Sequence, residues 1–132
     1  MEKIKKTVSA AEEDQVSRKL LAWLNTFPER PVDLIRFEFL PADTEAMAMS
    51  TIQAAYIVSK YILGGHLAEY QFKVIYRIKP GNSIDKRLKA DELLNALGDW
   101  TVGQRPDIGD GKRVVSIEPT TRSSLFAVYE NG

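Results

Sequence analysis

Two adjacent glycines, Gly64 and Gly65, separate two strand-like segments, and this hairpin constrains the fold more than any other feature of the chain. Glycine supplies the positive φ angles that a two-residue hairpin turn requires. The second segment, His66 to Lys79, alternates with period two, which is typical of a strand with one buried face. Its apolar side carries Ala68, Tyr70, Phe72, Val74, Tyr76 and Ile78. We therefore predict a long β-hairpin whose first arm runs from Ile52 to Leu63.

A two-residue turn also fixes the register of this hairpin. It would place Lys60 opposite Glu69 and Ile57 opposite Phe72, and both are favourable cross-strand pairs. The arms are longer than the typical strand of about five or six residues. We therefore expect the hairpin to project from the domain or to pair with another chain.

Helical periodicity marks two further segments. In the first, Ser9 and Glu12 have the spacing of a capping box, and Pro28 ends the helix. Its apolar face consists of Val16, Leu20, Trp23, Leu24 and Phe27. The second helix follows the turn Pro80 to Ser83, with Asn82 or Ser83 as its cap, and Trp100 is expected to pack where it stops. Its apolar face consists of Ile84, Leu88, Leu93, Leu94 and Leu97.

The remaining segments complete an α+β pattern. Val32 to Leu40 alternates as a strand, whereas Pro41 to Ser50 lacks a period of two and is predicted to be an exposed loop. After the loop Thr101 to Lys112, two short strands are predicted at Arg113 to Glu118 and Ser124 to Tyr129. The predicted order is α-β-β-β-α-β-β, with a mainly antiparallel sheet, the long hairpin and two covering helices.

The chain is expected to form a single domain over residues 1–132, because 132 residues with 44% hydrophobic content suit one core. It stops at Asn131-Gly132, although Asn-Gly is a strong hairpin signal and no strand follows it. Two interpretations stay open. Either a final C-terminal strand is missing, or another subunit completes the edge of the last strand.

Composition excludes several kinds of chemistry. The chain has no cysteine and one histidine, so thiol nucleophiles and sites built from several imidazoles are excluded. Eighteen basic residues balance eighteen acidic ones, which argues against bulk nucleic-acid binding. No apolar stretch is long enough for an export signal or a membrane span. We expect no cofactor and no metal.

The lone histidine, His66, follows the glycine turn. A catalytic base would need a nucleophile and an orienting acid, and the sequence offers only Glu69 on the same arm. A polar surface position at a loop tip is the favoured interpretation. The segment Asp107 to Lys112 lacks the ligand pattern of a calcium or phosphate loop and is interpreted as a solvated connector. An enzyme is therefore not predicted.

The segment from Tyr61 to Trp100, YILGGHLAEYQFKVIYRIKPGNSIDKRLKADELLNALGDW, resembles a family of small proteins from phages and prophages of Gram-positive bacteria. These proteins are described as minor capsid or tail terminator proteins. The resemblance extends back through the Pro41 loop and forward through TTRSSLFAVYENG. It rests on sequence similarity along the whole stretch, because no short diagnostic motif exists. Relatives of this kind continue past the Asn-Gly into one more strand, where this sequence stops.

Some relatives carry a chloramphenicol-resistance label. The acetyltransferase chemistry behind that label needs a histidine followed by a fixed Asp-Gly pattern. Because Leu67, Ala68 and Glu69 follow His66, this activity is not expected.

The resemblance implies a structural role in the assembly of a phage tail. Tail terminators form a ring, usually hexameric, that caps the tail tube and joins it to the head–tail connector. The implied partners are identical subunits, the tube protein and the connector protein, in the host cytoplasm during assembly and then in the virion tail. DNA would pass through the ring without base recognition. A head-side stopper is the first alternative. The second is a small ligand-binding or enzymatic α+β domain, which a deep apolar pocket with converging polar groups would favour.

The predicted contact residues lie in four places. They are Asp43, Thr44, Glu45, Met47 and Met49 in the loop after the first strand, Gly64, Gly65 and His66 at the hairpin tip, Arg105, Asp107 and Lys112 after the second helix, and Asn131 at the chain end. Two interpretations stay open for the methionines. They either form an adaptable contact surface or fold back onto the core.

Overall fold

Seven strands and two helices make up the described part of the chain, which covers residues 6–42, 44–78, 84–109, 111–119 and 124–131 of the computed structural model. The strands are β1 (Lys6–Thr7), β2 (Ile35–Phe37), β3 (Ala46–Thr51), β4 (Tyr56–Lys60), β5 (His66–Arg77), β6 (Lys112–Pro119) and β7 (Ser124–Asn131). The helices are α1 (Ala10–Leu24) and α2 (Ile84–Thr101). The predicted α+β class with a mainly antiparallel sheet and two helices is confirmed.

The long strand β5 organises the sheet. β4 and β7 both pair with its residues 66–69, so they lie at its two opposite edges. β3 and β7 both pair with Phe72 and Lys73, which places β3 on the same edge as β4. β6 extends the sheet beyond β7, while β1 and β2 lie outside β4 and β3. Only the pairing of β2 with β3 is parallel among these pairs.

The first helix begins as its sequence predicts. The Ser9 hydroxyl accepts a hydrogen bond from the backbone N–H of Glu12 at 3.2 Å, and the predicted apolar face is buried. At its other end, the Asn25 side chain caps the helix and bonds both backbone groups of Ile35, at 2.7 and 3.1 Å. This contact fixes where the chain enters β2. The reciprocal half of the capping box is absent among the bonds described for Glu12, because its carboxylate reaches the sheet instead.

One face of the sheet carries the core. Tyr70 and Phe72 of β5 are fully buried there, together with Tyr129 of β7. Both helices pack against this core, with Leu97 of α2 buried among its residues. The predicted apolar face of α2 is only partly buried, since Ile84 and Leu88 are 78% and 56% exposed. The helix caps predicted at Asn82 or Ser83 lie outside the described residues.

The two tryptophans join the helices to each other. The rings of Trp23 and Trp100 stack with centroids 5.2 Å apart and planes 17° apart. Phe27 packs against the same Trp100 ring at 5.2 Å. Trp100 therefore packs at the end of α2 as expected, and its partner is the apolar face of the first helix.

The loop predicted at Pro41 to Ser50 is wrong in its second half. β3 occupies this region, and Ala46, Met47, Ala48 and Met49 are all buried. A strand buried on both faces shows no alternation of polar and apolar residues, so its sequence lacks the period of two. Met47 and Met49 belong to the core, which decides between the two interpretations of these residues and excludes an exposed methionine arm.

The hairpin exists, but its predicted register is wrong. Lys60 pairs with His66 and Tyr56 with Glu69, with an irregularity between Ile57 and Ser59. Gly64 and Gly65 have the predicted positive φ angles, 99° and 83°. The connection nevertheless spans residues 61–65, because the backbone N–H of Tyr61 bonds the Gly65 carbonyl at 3.1 Å. Because this connection is longer than two residues, every cross-strand pair between β4 and β5 differs from the predicted register. Of the first arm predicted at Ile52 to Leu63, only β4 (Tyr56–Lys60) is a strand.

Two edge predictions also change. The strand expected at Val32 to Leu40 is reduced to β2, and Phe37 and Phe39 are 40% and 59% exposed. Glu38, with φ of 56°, ends β2. Of the two interpretations left open at Asn131, an edge that another subunit completes is wrong, because β7 pairs with β5 on one side and β6 on the other. The short strand β1 was not predicted.

No described helix combines the length and apolar character required to cross a bilayer.

Candidate functional site

A buried carboxylate connects the first helix to the ends of two strands. Glu12, 9% exposed, accepts hydrogen bonds from the Tyr129 hydroxyl at 2.6 Å and the Asn131 amide at 2.6 Å. Its oxygen Oε2 also lies 2.9 Å from Nε2 of His66. β5 begins at His66 and β7 ends at Asn131, and these two residues are paired in the sheet. Three separate parts of the sequence thus meet at Glu12.

Further contacts of the same helical turn surround this cluster. Glu13 accepts a hydrogen bond from the backbone N–H of Ala55 at 2.8 Å. Gln15 accepts one from the Lys112 ammonium group. Lys112 also pairs with Asn131 across the sheet. The first two turns of α1 are therefore held to the beginnings of β4 and β6 as well.

Hydrogen bonding decides the charge state of this centre. Burial alone would raise the pKa of Glu12, but the hydrogen bonds from Tyr129, His66 and Asn131 favour the carboxylate and lower its pKa below the usual 4.5. Burial and the hydrogen bond to Glu12 together raise the pKa of Tyr129, which keeps the phenol protonated as a donor. The centre is an ionised carboxylate surrounded by neutral or cationic donors.

This arrangement favours an anchor over a reaction centre. The two oxygens of Glu12 already accept from three side chains of the same chain, so the carboxylate is committed to holding the fold. Among the described residues, no group of three or more histidine, aspartate or glutamate side chains is placed to hold a metal ion. Glu12 is the acid partner of His66 that sequence reasoning missed. The capping-box spacing assigned its side chain to the helix backbone, and no local signal points to a partner 54 positions away.

The hairpin tip is the most exposed apolar feature of the described chain surface. Ile62 and Leu63 are fully exposed, at 101% and 100%. The base of the tip is held by Tyr61, whose hydroxyl donates to Glu130 at 2.6 Å. Arg113 donates to the same carboxylate from β6. Two aliphatic side chains are thus presented to solvent on a loop whose base is bonded to the sheet.

A groove lies between α1 and β2. It has a volume of about 370 Å³. Its lining residues are Asp14, Ser17, Arg18, Leu21 and Phe37. The apolar part consists of Leu21 and the half-exposed ring of Phe37, while Asp14 and Arg18 are exposed at its rim. The groove combines an apolar floor with one acidic and one basic group.

The predicted contact residues separate into two groups at opposite ends of β5. His66, Lys112 and Asn131 come together around α1, beside the tip glycines. Thr44 and Glu45 lie at the far end, where the Arg77 Nε donates to the Thr44 carbonyl at 3.1 Å and the Tyr76 hydroxyl donates to Glu45. The ends of this strand of twelve residues are about 37 Å apart.

The remaining predicted residues do not join either group. Arg105 and Asp107 are exposed in the loop after α2, where Asp107 accepts a hydrogen bond from the backbone N–H of Gly109 at 2.9 Å. Met47 and Met49 are buried inside the sheet. Asp43 lies outside the described residues. Burial excludes Met47 and Met49 as an exposed contact surface, and the prediction of a contact role is untested for Arg105, Asp107 and Asp43.

Comparison with known proteins gives no relative: no family model, no curated protein and no solved structure matches the chain.

Proposed function

We propose that the chain is a structural subunit of a phage-type tail, a ring-forming terminator that caps the tail tube and joins it to the head connector. The observation that carries this proposal is the hairpin tip. Two large aliphatic side chains, Ile62 and Leu63, are fully exposed side by side. Clustered exposed apolar groups favour contacts with other proteins.

The form of the tip supports an assembly role. Its base is held by the strands on both sides and by the hydrogen bond from Tyr61 to Glu130. A contact surface that is ordered before binding loses less conformational entropy when the partner binds. The tip is therefore suited to repeated contacts between subunits.

The resemblance of Tyr61 to Trp100 to phage terminator proteins supplies the particle in which this assembly would occur. The tip and β5 lie inside that segment, as does α2 except for its last residue, Thr101. In this role the chain works in the host cytoplasm during assembly and then in the virion tail. DNA passes through the ring without base recognition, and the balanced formal charge of the chain is compatible with such passage.

The test is assembly with the tube protein encoded in the same genome. The chain is sized by light scattering alone and with polymerised tubes, and tube ends are inspected by electron microscopy. We expect rings of identical subunits at tube ends and tubes that stop growing. A chain that stays monomeric and never caps tubes overturns the proposal. Binding to the portal complex in place of the tube would identify the head-side stopper instead.

A further inference from the structure

The dipeptide Asn131-Gly132 brings a chemically reactive sequence to the anchor at Glu12. Asparagine followed by glycine is the sequence most prone to deamidation, because glycine has no side chain to hinder attack by its backbone nitrogen. Threonine, serine or alanine follows the other three asparagines, which are Asn25, Asn82 and Asn95. Asn131 is therefore the asparagine of this chain for which the sequence favours the fastest deamidation.

The reaction removes the nitrogen atom that binds Glu12. The backbone nitrogen of Gly132 attacks Cγ of Asn131, a C–N bond forms, and Nδ2 leaves as ammonia with the proton of the backbone nitrogen. Water then opens the resulting succinimide at either carbonyl and leaves aspartate or isoaspartate. Nδ2 is the atom that donates to Oε1 of Glu12 at 2.6 Å, so deamidation and the loss of this donor are one event.

The product places a second carboxylate against the first. Glu12 is buried, and the hydrogen bonds that lower its pKa keep it ionised at neutral pH. A carboxylate at position 131 offers it only acceptors, and two like charges at hydrogen-bond distance repel. The basic residues paired with this position in the sheet already have partners, since Lys112 donates to Gln15 and His66 lies 2.9 Å from Glu12. Compensation by either one would break an existing contact.

We propose that Asn131 is a deamidation site, and that its conversion to aspartate or isoaspartate detaches the end of β7 from Glu12. Isoaspartate also lengthens the backbone by one methylene, which displaces the residue from its partners in β5 and β6. Tyr129 keeps its own hydrogen bond to Glu12. The modification therefore loosens the contact between α1 and β7 and leaves the rest of the core in place.

Ageing of the purified chain tests the reaction. The wild type is incubated at mildly alkaline pH, and intact mass with peptide mapping follows the amide-to-acid conversion at each asparagine. We expect the fastest conversion at Asn131 and a fall of about 5 °C in the melting temperature of the converted chain. The control Gly132→Val retains Asn131 but hinders the attack. It is expected to slow the conversion and to preserve the melting temperature.

Substitution isolates the consequence of the product. Asn131→Asp is expected to lower the melting temperature by about 5 °C, and circular dichroism checks that it folds. Oε1 of Glu12 accepts from Asn131, whereas Oε2 faces Tyr129 and His66. A glutamine at position 12 can therefore keep its oxygen toward Tyr129 and turn its NH₂ group toward a carboxylate at position 131. The double variant Glu12→Gln/Asn131→Asp is expected to recover most of the loss, although Glu12→Gln alone destabilises the chain.

Each result supports or overturns the site without reference to ring assembly. Conversion that is no faster at Asn131 than at the other asparagines overturns the deamidation site. Conversion at Asn131 that leaves the melting temperature unchanged overturns the link to Glu12, as does a double variant that melts no higher than Asn131→Asp. Glu29→Gln/Asn131→Asp makes the same charge change at an exposed position and should not recover the loss. Recovery there would reduce the effect to net charge and overturn the local contact.

Discussion

The hydroxyl of Tyr129 donates a 2.6 Å hydrogen bond to the carboxylate of Glu12, across 117 positions of sequence. A second tyrosine makes a similar contact, since the Tyr70 hydroxyl lies 2.7 Å from the Ser17 hydroxyl. Tyr70 and Tyr129 lie on the neighbouring strands β5 and β7, and both are fully buried. These two tyrosine contacts join the other hydrogen bonds of α1 in setting its position on the sheet. Buried polar groups of this kind specify one packing arrangement because misplacing them leaves donors unsatisfied.

The substitution Glu12→Gln tests this anchor. The amide retains one oxygen acceptor, but its NH₂ group faces hydrogen-bond donors, so at least one buried donor loses its partner. We expect the free energy of unfolding to fall by about 2 kcal/mol at neutral pH. Urea denaturation followed by circular dichroism measures it. Glu29→Gln, at an exposed position, is the matched control and should change stability by less than about 0.5 kcal/mol. Equal effects of the two substitutions would contradict an anchoring role.

Acid should weaken the same anchor. The folded-state pKa of Glu12 is lowered, so its contribution is fully present above the unfolded value of 4.5 and is lost as pH falls through the lower folded value. We expect the free energy of unfolding to decline as the pH drops below about 4.5. Denaturant titrations between neutral and acidic pH measure this slope. Glu12→Gln should decline less steeply over this window, while Glu29→Gln should follow the wild type. Parallel curves for wild type and Glu12→Gln would rule out this contribution.

Sequence patterns correctly predicted the helices and strands that bury one face along their whole length and expose the other. The apolar face of α1 and the alternation of β5 each report one buried side, so period alone locates them. β3 escaped prediction because neighbours cover both of its faces, and its alanines and methionines then carry no period. The register of the hairpin depended on the length of the connection. Two glycines predicted positive φ angles correctly but could not fix that length.

The candidate site was predictable only in fragments. His66, Lys112 and Asn131 were each singled out for local reasons, and the sheet brings them together beside α1. Their common centre, Glu12, was missed because its partners are set by strand pairing far away in the sequence. The tip glycines were predicted to form a contact surface, yet the residues that offer apolar area are Ile62 and Leu63. Those two residues had been assigned to the first arm of the hairpin because they directly precede the two glycines.

Truncation of the buried methionines tests the place of β3 in the core. Met49 is fully buried and pairs with Val74 of the central strand. We expect Met49→Ala to lower the free energy of unfolding by about 2–5 kcal/mol, because it removes apolar contacts and leaves a cavity. Phe39→Ala removes a larger side chain that is 59% exposed and should cost far less. Chemical denaturation of both variants measures the two losses in the free energy of unfolding. A larger effect at Phe39 would contradict the core assignment.

The stacked tryptophans provide a direct measure of the contact between the helices. Trp23 and Trp100 are the two tryptophans of the chain, and their rings lie 5.2 Å apart. In a double-mutant cycle with Trp23→Leu and Trp100→Leu, we expect a coupling free energy of about 0.5–1.5 kcal/mol. Equilibrium denaturation of the wild type, both single variants and the double variant yields this value. As a control, Trp100→Leu combined with Ile62→Ala should be additive, since Ile62 is fully exposed. A cycle that closes without coupling at Trp23 would mean that α2 is held to the core by its other contacts, such as Leu97, and not by the stacked rings.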